Sequence, residues 1–269
     1  SKQIGTEIYR KTNGQIRQPI VVFVDRNIES LVAFMAVAYS GNFYVPIDIQ
    51  MPKSRVELIL ETLQPLAMIV TKESKSFSEK VAPKLIAIDY EEFATKGTID
   101  EEILKNIRNK IIDKDPIYAT FTSGSTGIPK GVLTCHQSVV DMTEALCETF
   151  DFSEENIFGN QNPFYFDASI KDIYSSLKCG STMHILPKSY FTMLGELVTY
   201  IVENKIDTIL WSAAAISLLA NSQAFEDKKP NTLKNVMFSG EVMHNKVLNY
   251  WRKNLPKTKF VNLYGPTEI

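Results

Sequence analysis

The chain has 269 residues, 44% hydrophobic and 22% charged, with a formal net charge of −2 and a pI of about 6.0. That composition belongs to a soluble globular protein with enough apolar residues for one large or two modest cores. It excludes the basic footprint of a nucleic-acid binder, because Lys and Arg alternate with Asp and Glu, as in EEILKNIRNKIIDKD (Glu101–Asp115), a solvated helix face rather than a binding patch.

Taken in chain order, short apolar runs alternate with helical patterns. IVVFV (Ile20–Val24) reads as a strand, Ser30–Ser40 as a helix and FYVPI (Phe43–Ile47) as the next strand. Gly41 falls where a helix C-terminus accepts a left-handed residue. A helix over Arg55–Leu63 is closed by Pro65, and strands follow at Leu66–Val70, Leu85–Ile88 and Tyr118–Phe121. The stretch from about Cys135 to Phe150 is helical, with its clearest periodicity over Ser138–Phe150. Beyond it come a helix at Ile170–Leu177, a strand at Thr182–Leu186, a helix at Leu194–Glu203 and strands at Asp207–Trp211 and Asn235–Ser239. The last elements are a helix at Lys246–Leu255, followed by Pro256, and a strand at Phe260–Tyr264. Alternating β and α with continuous apolar strands predicts an α/β protein with mostly parallel sheets flanked by helices. The expected division is a first subdomain over residues 1–145 and a second over 146–269.

The three cysteines, Cys135, Cys147 and Cys179, form no CxxC pair, which argues against a disulfide scaffold or a structural zinc site and for a reducing, cytoplasmic compartment. The apolar run SLVAFMAVAYSG (Ser30–Gly41) is too short to span a bilayer, and no signal peptide is visible. The sequence starts at Ser1 and stops at YGPTEI, so it reads as a fragment of a longer chain.

The most informative stretch is YATFTSGSTGIPKGV (Tyr118–Val132). It is not a P-loop, since Pro129 precedes Lys130 and Gly131 follows it, and it contains no G-x-G for a dinucleotide fingerprint. The physics of anion binding still applies. Gly124 and Gly127 allow close backbone approach, and successive N–H groups can form a nest. Thr122, Ser123, Ser125 and Thr126 add hydroxyls, and Lys130 adds a mobile charge. The alternative is an ordinary Ser/Thr/Gly surface turn.

TSGSTGIPKGV resembles the phosphate-loop signature of the adenylate-forming superfamily, which holds acyl-CoA synthetases, nonribosomal peptide synthetase adenylation domains, D-alanine–carrier protein ligases and luciferases. AVAYSGNFYVPID (Ala36–Asp48), FDASIKDIY (Phe166–Tyr174), FSGEVM (Phe238–Met243) and NLYGPTE (Asn262–Glu268) resemble further segments of the same group, in order. The resemblance implies the N-terminal large domain of the adenylate-forming fold without its C-terminal domain, with the site in a cleft between two α/β subdomains. It also implies ATP and Mg²⁺ as cofactors, and an amino acid carboxylate activated as an aminoacyl-adenylate with release of pyrophosphate. The aminoacyl group would then pass to a carrier-protein phosphopantetheine thiol. The fragment alone would turn over weakly or not at all, because closure of the missing domain excludes water. An acyl- or aryl-CoA ligase and an ATP-binding fragment without turnover are the alternatives.

The roles follow by resemblance, position by position. Lys130 and the residues from Thr122 to Gly127 would hold the β- and γ-phosphates. Thr267 would donate to the α-phosphate, and Glu268 would hold Mg²⁺; otherwise Glu268 is a surface residue after a turn. Tyr264 would stack on adenine and Asn262 would bond its edge, with Gly240, Glu241 and Gly265 beside them. Read plainly, Tyr264 is a half-buried strand aromatic and Asn262 a turn former. Asp167 would pair with the substrate ammonium, a partner that a semi-buried carboxylate needs; its plain reading is a helix N-cap. Ala168, Lys171, Ser212, Met237, Ser239 and Leu263 would line the side-chain pocket. Lys171 is either a solvated helix lysine or a partner for a polar or acidic substrate. WSAAAIS (Trp211–Ser217) departs from the superfamily's usual T-x-T-P-S run and leaves the pocket floor undefined.

Overall fold

The structure, a computed structural model, describes residues 1–122 and 129–268 and divides into two compact units, Ser1–Val139 and Val140–Ile269. Each unit is a sheet flanked by helices.

The first unit opens with α1 (Lys2–Lys11), β1 (Pro19–Val24), α2 (Ile28–Tyr39) and β2 (Phe43–Asp48). It continues through α3 (Lys53–Leu63), β3 (Ala67–Val70), α4 (Lys72–Val81), β4 (Ile86–Asp89), α5 (Tyr90–Lys96) and α6 (Glu101–Arg108). A hairpin of β5 (Pro116–Thr122) and β6 (Lys130–Cys135) leads into α7 (His136–Phe150), which carries the chain into the second unit. The sheet order is β4-β3-β1-β2-β5-β6, parallel except for the antiparallel β5–β6 pair. β2 and β3 are buried along their whole length and β1 from Ile20 onward, so they read as unbroken apolar runs rather than alternating ones. Phe34 of α2 stacks on Tyr44 of β2 at 4.2 Å, clamping the helix to the sheet. Gly41 has φ +77°, and a side chain there would meet Ile107 and Ile16 within 3 Å, so conformation and space both demand glycine.

The second unit holds β7 (Ile157–Asn160), α8 (Ile170–Cys179), β8 (Thr182–Ile185), α9 (Leu194–Glu203), β9 (Thr208–Ser212), α10 (Ala213–Asn221), β10 (Asn235–Ser239), α11 (Asn245–Asn254) and β11 (Lys259–Asn262). Its sheet is parallel throughout, in the order β11-β10-β9-β7-β8. Trp251 of α11 is fully buried, donates its indole N–H to the Ile216 carbonyl at 3.0 Å and meets Phe225 edge-on.

Two strands escape the sequence reading. β6 follows the glycine loop where a helix alone was expected; Lys130 and Gly131 dilute its apolar signal, and only pairing with β5 makes it a strand. β7 has just Ile157 and Phe158 as apolar residues. Gly159 fits closely there: a Cβ would meet the Ile206 and Ile209 side chains at 3.0 and 3.3 Å, so they would have to give by a few tenths of an ångström. The final strand stops at Asn262 rather than at Tyr264, so the half-buried strand reading of Tyr264 is corrected: it stands 94% exposed.

Candidate functional site

In the second sheet the chain steps from β7 outward to β8, then returns to the other side of β7 for β9, β10 and β11. The connections leaving β7 and β9 therefore diverge, and a crevice opens beyond the carboxyl ends of these neighbours, where open α/β sheets receive ligands. Hydrogen bonds pin its floor. Trp211 Nε1 donates to the Gly159 carbonyl at 2.6 Å, and buried Asn162 donates to the Leu210 carbonyl at 2.7 Å. The Ser212 N–H and hydroxyl lie 3.2 and 3.3 Å from Gln161 Oε1, while the same hydroxyl accepts the Ala215 N–H and caps α10. Ser239 pairs in register with Ser212, and Asn262 with Phe238, so three strand ends reach the crevice together.

A cleft of about 700 Å³ fills this crevice. One wall is the turn that leads into α8. Asp167 and Ala168 stand there on a 3-10 turn (Asp167–Ser169), with Lys171 one helical turn later. That turn is fixed by buried Ser169, which donates its hydroxyl and its N–H to the Phe166 carbonyl at 2.7 and 3.1 Å. The floor is Ser212 and Ser239 at the strand ends. The opposite wall is Gly240 and Glu241 after β10, with Asn262, Leu263, Tyr264, Gly265 and Thr267 after β11. The Leu263 N–H donates to the Phe238 carbonyl at 2.8 Å and holds that wall down.

Most of the second-unit residues singled out in the sequence thus share one cleft, with two corrections. Met237 is fully buried among Cys147, Phe152, Phe158 and Leu210 and belongs to the core, not to the cleft lining. Ser239, two positions on and so on the same face of β10, emerges because it ends the strand, whereas Met237 lies deeper in the sheet. Asp167 does not cap α8: that helix starts from Ser169, whose side chain makes no capping bond. The Asp167 carboxylate has no hydrogen-bond or ion-pair partner among the described residues. Glu268 is exposed, directly after the cleft residue Thr267. In the first unit, Thr122 and Lys130 are paired across the β5–β6 hairpin, facing each other at the mouth of the glycine loop. Ser123, Gly124, Ser125, Thr126 and Gly127 lie outside the described residues.

Other lining residues went unpredicted. Phe166 is 52% exposed beside Asp167, and Val242 is more exposed still. Large apolar groups in water at a cleft rim are a signal only once the cleft is known. Buried Asn162 carried no sequence signal, since a lone Asn reads as a turn former.

The AMP-binding enzyme family matches residues 10–269. The chain belongs to that family. It is 31% identical over 261 residues to surfactin synthase subunit 1 of Bacillus subtilis, covering 93% of this chain and 7% of that protein. It is 29% identical over 275 residues to the D-alanine–D-alanyl carrier protein ligase of Listeria monocytogenes, covering 100% of this chain and 52% of the ligase. The chain therefore spans about half the length of the ligase. Among solved structures, the Vibrio cholerae adenylation domain AlmE, in complex with glycyl-adenosine-5′-phosphate, superposes with a TM-score of 0.82 at 19% identity, covering 99% of this chain and 53% of that one. That likeness shows the fold: an AMP-binding large domain of two mostly parallel sheets. Among the described residues no helix is long and apolar enough to cross a membrane.

Proposed function

We propose that this family member activates an amino acid: the substrate carboxylate attacks the α-phosphorus of ATP, pyrophosphate leaves, and the aminoacyl group passes from AMP to a carrier-protein phosphopantetheine thiol in the cytoplasm. The observation that carries the reading is Asp167, an unpaired carboxylate held by a fixed turn inside the cleft. A carboxylate so placed has unmet demand for a cation, which a substrate ammonium supplies and a fatty or aryl acid does not. The names of the D-alanine ligase and the AlmE complex support the same chemistry.

The residues fit a nucleotide as the second ligand. Tyr264 offers an exposed ring face to adenine, and Asn262 an amide to its edge. Nothing lies within 4 Å of where a side chain would sit at Gly240 or Gly265, so both leave backbone open to a ligand. Lys130 and Thr267 would steady the phosphates as negative charge shifts onto the leaving group, which is catalysis by position and electrostatics. Among the described residues no group of three or more His, Cys, Asp or Glu is arranged to hold a metal. Glu268, exposed directly after the cleft residue Thr267, would hold Mg²⁺, an ion that keeps waters and phosphate oxygens and takes one or two protein carboxylates. When bound, the ion neutralises phosphate charge.

The test is ATP–pyrophosphate exchange by the full-length protein over a panel of amino, fatty and aryl acids. Exchange with an amino acid is expected. Exchange only with an acid that lacks an amino group would overturn the reading and make the protein an acyl- or aryl-CoA ligase.

A further inference from the structure

Two of the three cysteines meet although they stand 32 positions apart in the chain. Cys147 lies on α7 and is buried among Phe152, Phe158, Leu210 and Met237. Cys179 is the last residue of α8 and is half-buried against the same cluster. Their Sγ atoms are 3.3 Å apart, and the Cys179 thiol also lies 3.4 Å from the Phe152 carbonyl, to which it can donate. A disulfide bond is about 2.05 Å long, so the two sulfurs have only roughly 1.3 Å left to close.

The fold shields these two thiols unequally. Burial, with Cys179 beside it, pushes the Cys147 thiol up to about 11, against the opposite pull of the Ser175 hydroxyl and the Lys178 ammonium. Cys179 stands at the end of its helix, before Gly180, which takes φ +68°. Nothing lies within 4 Å of where a Gly180 side chain would sit, so small solutes have an open approach on that side. Cys135 has another setting. It ends β6 in the first unit, half-buried, and its only side-chain neighbour of this kind is the Ser138 hydroxyl at 3.3 Å, which lowers its pKa. Among the described residues it meets no second thiol.

A thiol oxidised alone climbs from sulfenic to sulfinic acid, which thiols do not reverse, whereas a sulfenic acid beside a second thiol condenses to a disulfide. We propose that Cys147 and Cys179 form a modification site for hydroperoxides, oxidised together to a reversible disulfide that ties α7 to α8. The Cys179 thiolate attacks one oxygen of hydrogen peroxide, the O–O bond breaks, and the departing hydroxide takes the thiol proton and leaves as water. Cys179 is then a sulfenic acid. Cys147 Sγ attacks the Cys179 sulfur, the S–O bond breaks, and the departing hydroxide takes the Cys147 proton as a second water. The two sulfurs have given two electrons to the peroxide. A dithiol reductant restores both thiols by exchange and becomes a disulfide itself, so the bond is transient wherever thiols are kept reduced. The segment closed between the two cysteines holds β7 and the Asp167 turn. Linking its ends restricts the unfolded chain across one wall of the cleft and raises stability.

The experiment treats the reduced full-length protein with hydrogen peroxide, blocks the remaining thiols with iodoacetamide and maps its peptides without reductant. Thermal melting is followed in parallel. Most of the oxidised Cys179 should appear in one cross-linked peptide with Cys147, two hydrogens lighter than the two thiol peptides together, and dithiothreitol should abolish it. The melting temperature should rise by several degrees and fall back with dithiothreitol. Cys135 should instead accumulate as sulfinic and sulfonic acid. Cys147→Ala leaves Cys179 alone, and its oxidation should then end in a sulfinic acid that dithiothreitol does not reverse. Cys179→Ala, the milder change because that side chain is half-buried, should leave Cys147 a free thiol at peroxide concentrations that oxidise Cys135. Wild-type Cys179 recovered mainly as sulfinic acid would overturn the proposal. So would both thiols surviving where Cys135 is fully oxidised, or either one linked to a different cysteine.

Discussion

The two sheets share a topological device and put it to different uses. Each contains neighbouring strands whose outgoing connections diverge, among them β1 and β3 in the first unit, and β7 and β9 in the second. Beyond β1, Asn27 Oδ1 accepts the Ser30 N–H at 3.0 Å, while the Ser30 hydroxyl lies 2.8 Å from both Asn27 Oδ1 and the Asp25 carbonyl. Beyond β3, Thr71 and Ser74 form a reciprocal capping box. The polar groups at that switch point are consumed by the protein's own helix starts. Beyond β7 and β9, Gln161, Asn162 and Ser212 tie strand to strand, and the helix that follows starts late, from an uncapped Ser169. Asp167 and Lys171 are left facing a cleft. Topology supplies a crevice where a sheet reverses; beyond β1 and β3 the side chains described serve helix starts, whereas beyond β7 Asp167 and Lys171 line a cleft.

The sharpest way to break this contrast is to damage each core and ask what else is lost. Trp251→Ala and Phe34→Ala each remove a fully buried ring and should each cost ~3–5 kcal/mol of stability. Denaturation followed by fluorescence and circular dichroism should show a lowered transition in both. Amino-acid binding, measured where both variants remain folded, should weaken only with Trp251→Ala, whose neighbour Ile216 lies on the helix capped by Ser212. Equal weakening by Phe34→Ala would remove the division of labour.

Next in size is the open site itself. Asp167→Asn keeps shape and removes charge, and should reduce amino-acid-dependent exchange by about 10³-fold, on the order of 4 kcal/mol, with ATP binding unchanged. Equal loss of ATP binding would show that Asp167 serves the nucleotide or the local fold.

Much of this was legible in advance, for a physical reason. Parallel strands buried on both faces write themselves as apolar runs, so β1, β2, β3, β9 and β10 were found within a residue or so. Helix ends at Gly41, Pro65 and Pro256 followed from backbone chemistry. β6 and β7 were invisible because pairing and close packing, not composition, make them strands. At the site, contiguous motifs gave Asp167, Ser239, Asn262, Leu263, Tyr264, Gly265 and Thr267, whereas the burial of Met237 depends on where β10 ends and how deep the core reaches. Asn162 owes its place to one long-range bond to Leu210, which no local pattern encodes.

Acid should discriminate between the units more gently. Burial lowers the pKa of His136 in the first unit, against an opposing pull from Asp115, and burial also lowers that of His184 in the second. A folded pKa below the unfolded one means that the unfolded chain binds the proton more readily. Stability is therefore full above the ordinary imidazole value of 6.5 and falls as pH drops through it. Each histidine contributes a slope of at most about 1.4 kcal/mol per pH unit. A second loss comes at lower pH, because the Arg17 guanidinium at 2.7 Å holds Asp115 below its usual carboxylate range. His136→Asn should flatten the melting-temperature profile between pH 7 and 5 for the first unit's transition. An unchanged slope would mean that His136 is equally exposed to protons in both states.

The smallest expected effect returns to the two switch points. Thr71→Ala removes half of a capping box in the closed one, and Ser212→Ala removes the cap of α10 in the open one. Both should cost ~1 kcal/mol, and glycine at either position only a few tenths. Stability alone therefore cannot separate them. Substrate KM can: Thr71 spends its side chain entirely on its own helix, whereas Ser212 also faces the cleft and lies within hydrogen-bond distance of Gln161. Ser212→Ala should raise the amino acid KM severalfold while Thr71→Ala leaves it alone. Were both variants to lose about 1 kcal/mol of stability with KM unmoved, the Ser212 hydroxyl would be as fully consumed by its helix as Thr71 is, and the floor of the cleft would be set by backbone alone.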